Sequence, residues 1–289
     1  MKRFAAVLLF ILSASPALAE SLQVLRYFQN DARYNYRIEL LKRVLHVTQD
    51  EYGPAVLHAL PTKMSLGRGE RSLQKGQVDI AFLATNKLRE EKFLAVKFPI
   101  LHGILGYRIL LVHKDNQAAF ADIQNLSQLN DNFIGGFGSH WADMPILKDN
   151  QLNIVHNPLY PSLFAMLNAK RFDYFPRGIN EIWDESIALA PNYPNIAVEE
   201  TLALYYPYPV YFFVTKGNER LAERIEQGLK QTLLDGSLKR LFLKYHLHDI
   251  KRSQLHKRNI LQLENHQLPE GTAQPDSRWW LELKENVGK

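Results

Sequence analysis

The sequence predicts an α/β fold in which parallel strands alternate with helices, and three observations carry this prediction. Residues 78–83 form an almost wholly apolar run, which is typical of a strand buried on both faces of a parallel sheet. Residues 36–47 repeat apolar side chains at helical spacing along one face. Further strands at 22–28 and 56–60 and a helix at 65–75 complete a β-α-β-α-β order, which favours a parallel sheet flanked by helices.

The first 19 residues read as a cleavable signal peptide. Lys2 and Arg3 are followed by the apolar run 4–12, and the segment ends in Ala17-Leu18-Ala19, with small residues at the two positions that a signal peptidase requires. The apolar run is shorter than the roughly 20 residues that a membrane-spanning helix needs. We therefore expect cleavage after Ala19 and a mature chain free in a bacterial periplasm.

The composition excludes several classes of function. The chain has 289 residues, a formal net charge of +5 and no cysteine, so we expect no disulfide and no lipid anchor on cysteine. No basic run is interleaved with aromatic residues, which argues against nucleic-acid binding. His246, His248 and His256 fit no closed zinc pattern and are interpreted as a surface cluster. The sequence predicts no metal, no cofactor and a monomer.

Three polar side chains follow the predicted strand that ends at Leu83, namely Thr85, Asn86 and Arg89. Ligands of open α/β sheets bind beyond the carboxyl ends of the strands, and a guanidinium group there can form paired hydrogen bonds with a carboxylate or phosphate. From the residues alone, the alternative is a surface arginine paired with a neighbouring glutamate.

This region resembles family-three extracellular solute-binding proteins, the periplasmic receptors of amino-acid uptake systems. The resemblance rests on Gly76, an apolar strand led by Asp79, then Thr85 and Arg89, and a closing Phe98-Pro99 pair. The spacer between Asp79 and Arg89 is about two residues shorter than in typical amino-acid binders, which weakens the expectation of an ordinary α-amino acid. In the family, the arginine holds the ligand carboxylate, and the resemblance implies that role for Arg89.

The resemblance covers roughly residues 22–245 and implies the two-lobed type II periplasmic binding protein fold. Each lobe would be a mostly parallel sheet flanked by helices, and two strands, 107–113 and 208–215, would form the hinge. A single continuous sheet without a hinge is the alternative from pattern alone. The implied division is lobe 1 at 20–108 and 214–250, lobe 2 at 109–213, and a C-terminal extension at 251–289, whose Trp279 and Trp280 we expect to dock on the body.

The second lobe is expected to supply a glycine-rich turn between a strand and a helix. Backbone N–H groups at such a junction attract anions, and the resemblance implies that Gly138 and Ser139 form the second half of the carboxylate clamp. His140 departs from the family pattern, and Trp141 follows it. Asp143 is interpreted as a possible helix cap.

Three arginines are expected to make the cleft cationic. Arg33 falls near the family's ligand-stacking position with Tyr34 beside it, although a solvated loop arginine is an equal alternative. Arg177 follows the Asp-led strand of the second lobe and is the preferred contact there. Segment 171–182, with the preceding Trp141, resembles an amino-acid-transporter-like branch of the family. Glu181 could replace the acidic group that amino-acid binders use for the ligand ammonium; Glu185 is expected on a solvated face.

The sequence therefore predicts a non-enzymatic protein that closes on a small anionic solute, an amino acid or related carboxylate, and delivers it to an ABC-type inner-membrane transporter. Two alternatives stay open. One is a ligand-sensing module for a membrane signalling protein. The other is a dehydratase-like enzyme on the same scaffold, with Glu181, Asp143 or His140 as acid or base.

Overall fold

A computed structural model describes residues 22–62, 64–272 and 278–281. The predicted signal peptide lies outside these residues, as does the side chain of Trp279. Among the residues described, no helix has both the length and the apolar character needed to cross a bilayer.

The strands of the described chain are short, as is usual for an α/β fold. They are β1 (Gln23–Tyr27), β2 (Ala55–Ala59), β3 (Ile80–Ala84), β4 (Leu94–Val96), β5 (Tyr107–His113), β6 (Gly135–Gly138), β7 (Ile154–Asn157), β8 (Tyr174–Gly178), β9 (Ile196–Val198), β10 (Leu202–Tyr205), β11 (Val210–Val214) and β12 (Asn259–Gln262).

Helices connect most of these strands. They are α1 (Asn35–Val47), α2 (Gln49–Tyr52), α3 (Leu66–Gln74), α4 (Lys87–Lys92), α5 (Leu126–Asn132), α6 (Met144–Asp149), α7 (Tyr160–Asn168), α8 (Ile182–Leu189), α9 (Glu219–Leu234), α10 (Ser237–Ser253) and α11 (Arg278–Leu281).

The strands form three hydrogen-bonded sheets. β1 pairs with β2, β11 lies between β3 and β4, and the third sheet has the order β12-β10-β5-β8-β6-β7, with β9 also on β5. The pairs β1–β2, β6–β7, β6–β8 and β10–β12 are parallel, whereas every antiparallel pair includes β5 or β11. Helical crossovers produce parallel neighbours, so β5 and β11 mark the places where the chain returns by another route.

A buried glutamine joins β1 to β3. The Gln29 side chain donates to the Phe82 carbonyl at 2.6 Å and accepts from the Phe82 N–H at 2.8 Å. At the other end of the two strands, Asp79 forms an ion pair with Arg26 at 2.8 Å. These bonds hold β3 beside β1, and thereby fix the position from which Arg89 emerges.

The predicted glycine-rich turn is wrong in its local structure, because Gly135–Gly138 form strand β6 and the next helix begins only at Met144. The glycines make room for aromatic rings: a Cβ atom on Gly136 would lie 2.2 Å from the Phe172 ring, and one on Gly138 would lie 2.4 Å from the Trp141 ring. The turn itself follows the strand. The glycines therefore serve packing.

The segment after α10 connects distant parts of the molecule. The α10 helix continues to Ser253, and β12 then pairs with β10. Farther along, the Lys87 N–H donates to the Gln267 carbonyl at 3.0 Å. Trp280 is fully buried and donates to the His102 carbonyl at 2.8 Å, which confirms its docking on the body.

Candidate functional site

Arg89 lies where the sequence predicted, one helical turn beyond the end of β3, but protein groups occupy its guanidinium. Its Nε and Nη2 atoms donate to Glu70 Oε1 at 3.1 and 2.7 Å, and its Nη1 atom donates to the Ala84 carbonyl at 2.6 Å. The Arg89 side chain is 8 % exposed. Arg89 is therefore a buried arginine satisfied by Glu70, on α3, and by the strand that precedes it.

The two polar residues before Arg89 organise the same turn. Asn86 is the N-cap of α4, and its side-chain oxygen accepts from the Arg89 N–H at 2.8 Å. Buried Thr85 donates from its hydroxyl to Glu90 at 2.5 Å. Glu90 in turn pairs with Lys97 at 2.7 Å. Their hydrogen bonds fix the start of α4.

Arg177 is also buried and paired within the protein. It donates from Nε and Nη2 to the two oxygens of Glu185, both at 2.6 Å, and from Nη2 to Glu181 at 3.0 Å. Its guanidinium carbon lies 4.8 Å from the Trp141 ring centre. The expectation that Glu185 occupies a solvated face is wrong, because bidentate pairing holds its side chain at 17 % exposure.

A third buried arginine, Arg108, lies inside β5 and was not a predicted site residue. Its Nη2 atom donates to Asp143 Oδ2 at 2.8 Å, and the Tyr206 hydroxyl donates to the same oxygen at 2.7 Å. The Arg108 Nε atom is buried and has no acceptor. Asp143 makes no side-chain capping bond to α6, so its contact is with Arg108 and Tyr206 rather than with the helix start.

The Glu181 carboxylate interacts electrostatically with four arginines. Burial raises the pKa of its carboxyl, but the positive charges of Arg177, Arg108, Arg37 and Arg33 outweigh burial and hold that pKa below its usual range. These arginines come from β8, from β5 and from the start of α1 and the turn before it. The structure therefore places four arginines around Glu181, and we call Arg33, Arg37, Arg108, Arg177 and Glu181 the arginine cluster.

Arg37 is the member of the cluster that sequence reasoning missed entirely. It is 8 % exposed on the buried face of α1, and its guanidinium carbon lies 4.9 Å from the Tyr34 ring centre. Its Nε atom has no hydrogen-bond partner. Exposed Arg33 lies over the same Tyr34 ring at 5.4 Å and pairs with Asp31 at 3.3 Å.

The remaining predicted contacts lie near Trp141. Gly138 ends β6 against the Trp141 ring. The Ser139 hydroxyl lies 3.0 Å from His156 Nδ1, and His140 is exposed. Trp141 stacks on Phe175 with a 5.9 Å separation of ring centres. Within the residues described, these side chains join the arginine cluster through the contact between Trp141 and Arg177.

A weak sequence signal existed for both missed arginines. Arg108 interrupts the apolar run 107–113, and a charged residue in a strand buried on both faces requires a partner. Arg37 shares the buried helical face with Leu41 and Val44, at spacings of four and seven. Neither pattern identifies the partner. No group of three or more acidic or histidine side chains in the described chain could hold a metal ion.

Comparison with known proteins gives matches among solved structures. No family model matches the chain, and no curated protein matches it. A probable amino-acid ABC transporter extracellular-binding protein of Bacillus subtilis, YtmK, is 18 % identical, with a TM-score of 0.57, over 78 % of this chain and 97 % of that one. A histidine kinase sensor domain with similarity to periplasmic binding proteins is 14 % identical, with a TM-score of 0.55, over 78 % and 96 %.

An ancestral amino-acid-binding protein, a precursor of cyclohexadienyl dehydratase, is 16 % identical, with a TM-score of 0.53, over 78 % of this chain and 95 % of that one. Each of these proteins is matched over nearly its full length. The sequence identities are low, so the likeness establishes the arrangement of elements. The chain has the type II periplasmic binding protein fold, the fold of the family-three solute-binding proteins that its sequence resembles.

Proposed function

We propose that this protein binds a small anionic solute between two lobes and delivers it to an ABC-type inner-membrane transporter from the periplasm. The lobes are proposed to comprise 20–108 with 214–250 and 109–213, with the extension 251–289 packed on the body. In such a fold, a ligand that contacts both lobes stabilises the closed state.

The arginine cluster is the observation that carries the proposal. Arg33 and Arg37 belong to one proposed lobe, Arg177 and Glu181 to the other, and Arg108 to the connecting strand β5. Two guanidinium nitrogens of the cluster, Arg37 Nε and Arg108 Nε, are buried without an acceptor among the described residues. Guanidinium groups are suited to bind carboxylate or phosphate.

Binding without chemical conversion is proposed because the acidic groups of the cluster are already hydrogen-bonded. Asp143 accepts from Arg108 and Tyr206, and Glu181 and Glu185 accept from Arg177. A general acid or base needs a pKa near the working pH, whereas the pKa of Glu181 is lowered. For a binding protein with this role, the proposed partners are the solute and a membrane permease.

Sensing for a membrane signalling protein is the second candidate. It is favoured by the likeness to a histidine kinase sensor domain, matched over 96 % of its length. A sensing role would use the same ligand site as a transport role, and the two roles would differ only in the membrane protein that is contacted. A pull-down from solubilised inner membranes, made with the ligand-bound protein and with the free protein, separates the two candidates. Recovery of a transporter supports delivery, and recovery of a kinase supports sensing.

The direct test is a thermal-shift screen of the purified protein against amino acids, dicarboxylates, small peptides and phosphorylated metabolites, with hits verified by calorimetry. A ligand at 100 times its Kd adds about 2.7 kcal/mol to the free energy of unfolding, which raises the midpoint by a few degrees. The proposal is contradicted if no small anion raises the midpoint.

A further inference from the structure

We propose that Arg37 is the residue that receives the anionic group of the ligand, and that this ligand is a small carboxylate without an ammonium group beside the anion. The inference rests on the proposed function and names the contact residue and substrate class for that site.

Comparison of the buried arginines singles out Arg37. Five arginines of the described residues are buried, and four of them donate to the protein: Arg89 to Glu70, Arg108 to Asp143, Arg177 to Glu185, and Arg224 to the carbonyls of Leu45 and Gly53 at 3.0 and 2.8 Å. Within the described part of the chain, the Arg37 side chain makes no hydrogen bond or ion pair.

A buried guanidinium group without a hydrogen bond or ion pair destabilises the folded protein. Removal of a cation from water without a hydrogen-bond acceptor is unfavourable, and the negative charge of Glu181 offsets only part of this cost because it accepts no hydrogen bond from Arg37. Burial lowers the pKa of Arg37, which reflects this unfavourable environment. The Tyr34 ring, 4.9 Å away, offers a cation–π contact, but the Tyr34 hydroxyl accepts no hydrogen bond from Arg37. An anion bound to Arg37 would remove the penalty.

The described side chains around Arg37 accept no hydrogen bond from it. Its neighbour His246 is buried, so the interpretation of His246 as part of a surface cluster is wrong. Burial and the charges of Arg37 and His102 lower the pKa of His246 to about 3, so it stays neutral and gives Arg37 no counterion. A second guanidinium nitrogen of the arginine cluster, Arg108 Nε, is also buried without an acceptor, while Asn180 Oδ1 is a buried acceptor without a donor. Buried donors without acceptors are rare in folded proteins. Arg37 Nε and Arg108 Nε can both donate to the oxygens of a bound carboxylate.

The carboxylates indicate the absence of an ammonium group. Glu185 is bonded through both oxygens to Arg177, and Glu70 accepts twice from Arg89. Asp143 Oδ2 accepts from Arg108 and Tyr206. Glu181 accepts from Arg177 and lies in the field of four guanidinium groups. Because each acidic side chain already has an arginine partner, a ligand ammonium group finds no free counterion here.

The test measures affinity by calorimetry for pairs of compounds that differ only at the α-carbon: pyruvate and L-alanine, 2-oxoglutarate and L-glutamate, and 4-methyl-2-oxopentanoate and L-leucine. We expect an oxo acid to bind and its amino acid to bind at least about tenfold more weakly, since the ammonium group loses its hydration without a counterion.

The contact residue is tested with Arg37→Met. We expect the affinity for the bound oxo acid to fall roughly 30-fold, which is the size of a lost charge-assisted hydrogen bond, and Arg37→Lys to restore part of it. The matched control is Arg43→Met, the same substitution six residues later on α1, where the arginine is 43 % exposed and pairs with Asp235. A second control, Arg89→Met with Glu70→Gln, removes the other pair without leaving a buried charge.

The outcomes separate the two proposals. Loss of affinity in Arg37→Met alone supports the inference. Unchanged affinity in Arg37→Met with loss in Arg89→Met/Glu70→Gln overturns it and leaves the proposed function standing. Tighter binding of the amino acid than of its oxo acid overturns the substrate class. Failure of the unmodified protein to bind any member of the wider solute screen overturns the proposed function and this inference together.

Discussion

Two buried arginines in the same molecule have opposite surroundings. Arg89 lies beyond β3 and donates three hydrogen bonds, to Glu70 and to the Ala84 carbonyl. Arg37 lies on α1, is buried to the same extent, and donates none to the described residues. Arg89 matches a recognisable sequence pattern; Arg37 matches none.

The difference shows that a residue can match a family motif without having a side chain that is available to a ligand. Residues 85–89 still form the turn after a buried strand, as the pattern predicts. Glu70 on α3 reaches the guanidinium and satisfies it inside the protein. The role of Arg89 as a ligand contact stays a prediction. The buried guanidinium nitrogens without acceptors among the described residues, Arg37 Nε and Arg108 Nε, lie instead in the arginine cluster.

The largest effect on the free energy of unfolding is expected from substitution of Arg89. Arg89→Met leaves the Glu70 carboxylate without its cation and the Ala84 carbonyl without its donor. We expect the free energy of unfolding to fall by about 3 kcal/mol, measured by urea denaturation. The double variant Arg89→Met/Glu70→Gln should recover most of this loss, because no unpaired charge remains. A single variant as stable as the parent protein would show that the ion pair does not stabilise the fold.

The next effect concerns pH and the Arg37 region. Burial, with the charges of Arg37 and His102, lowers the pKa of His246 to about 3 from 6.5. The unfolded chain therefore takes up a proton below pH 6.5 that the folded protein refuses, so stability is lost as the pH falls from 6.5 toward 3. At pH 5 this residue alone costs about 2 kcal/mol relative to neutral pH.

His246→Phe should remove that component. The free energy of unfolding of this variant, measured in urea from pH 7.5 to pH 5, should fall by about 2 kcal/mol less than that of the parent protein. The comparison is between slopes, so a constant change from altered packing does not affect it. Parallel slopes for the two proteins would mean that His246 titrates normally in the fold.

A smaller effect of opposite sign is expected at Arg37. In the absence of ligand, Arg37→Met replaces a buried charge lacking an acceptor with an apolar side chain of similar length. We expect the free energy of unfolding to rise by about 1 kcal/mol, in contrast to Arg89→Met. Chemical denaturation of dialysed protein provides the measurement. A loss of stability instead would show that Arg37 stabilises the fold as it stands.

The smallest effect is expected at the surface of the same helix. Arg43 pairs with Asp235 at 3.4 Å, and both side chains are more than 40 % exposed. Exposed ion pairs contribute little, so Arg43→Met should change the free energy of unfolding by no more than about 0.5 kcal/mol. Denaturation in low and high salt checks this value. A larger, salt-sensitive loss would invalidate Arg43→Met as the matched control for Arg37.

Some features of the candidate site were predictable from the sequence. Arg177 was expected directly after the Asp-led strand, but it lies within that strand, β8, which ends one residue later at Gly178. Its partner Glu185 was assigned to a solvated face, because helical spacing reports which residues share a face but not what that face contacts. The glycines at 135–138 were assigned to a turn, because glycine suits both a turn and a strand under an aromatic ring.

The sequence by itself determined the order of strands and helices, since the period of apolar residues is a local property that each segment carries alone. The helical period placed α1 within one residue of its observed bounds, and the strand expected at 107–113 is β5. Only the tertiary structure decided which arginines are satisfied. Arg108 pairs with Asp143, 35 positions along the chain, whereas Arg37 forms no ion pair within the described residues, because ion pairing depends on distances that packing alone sets.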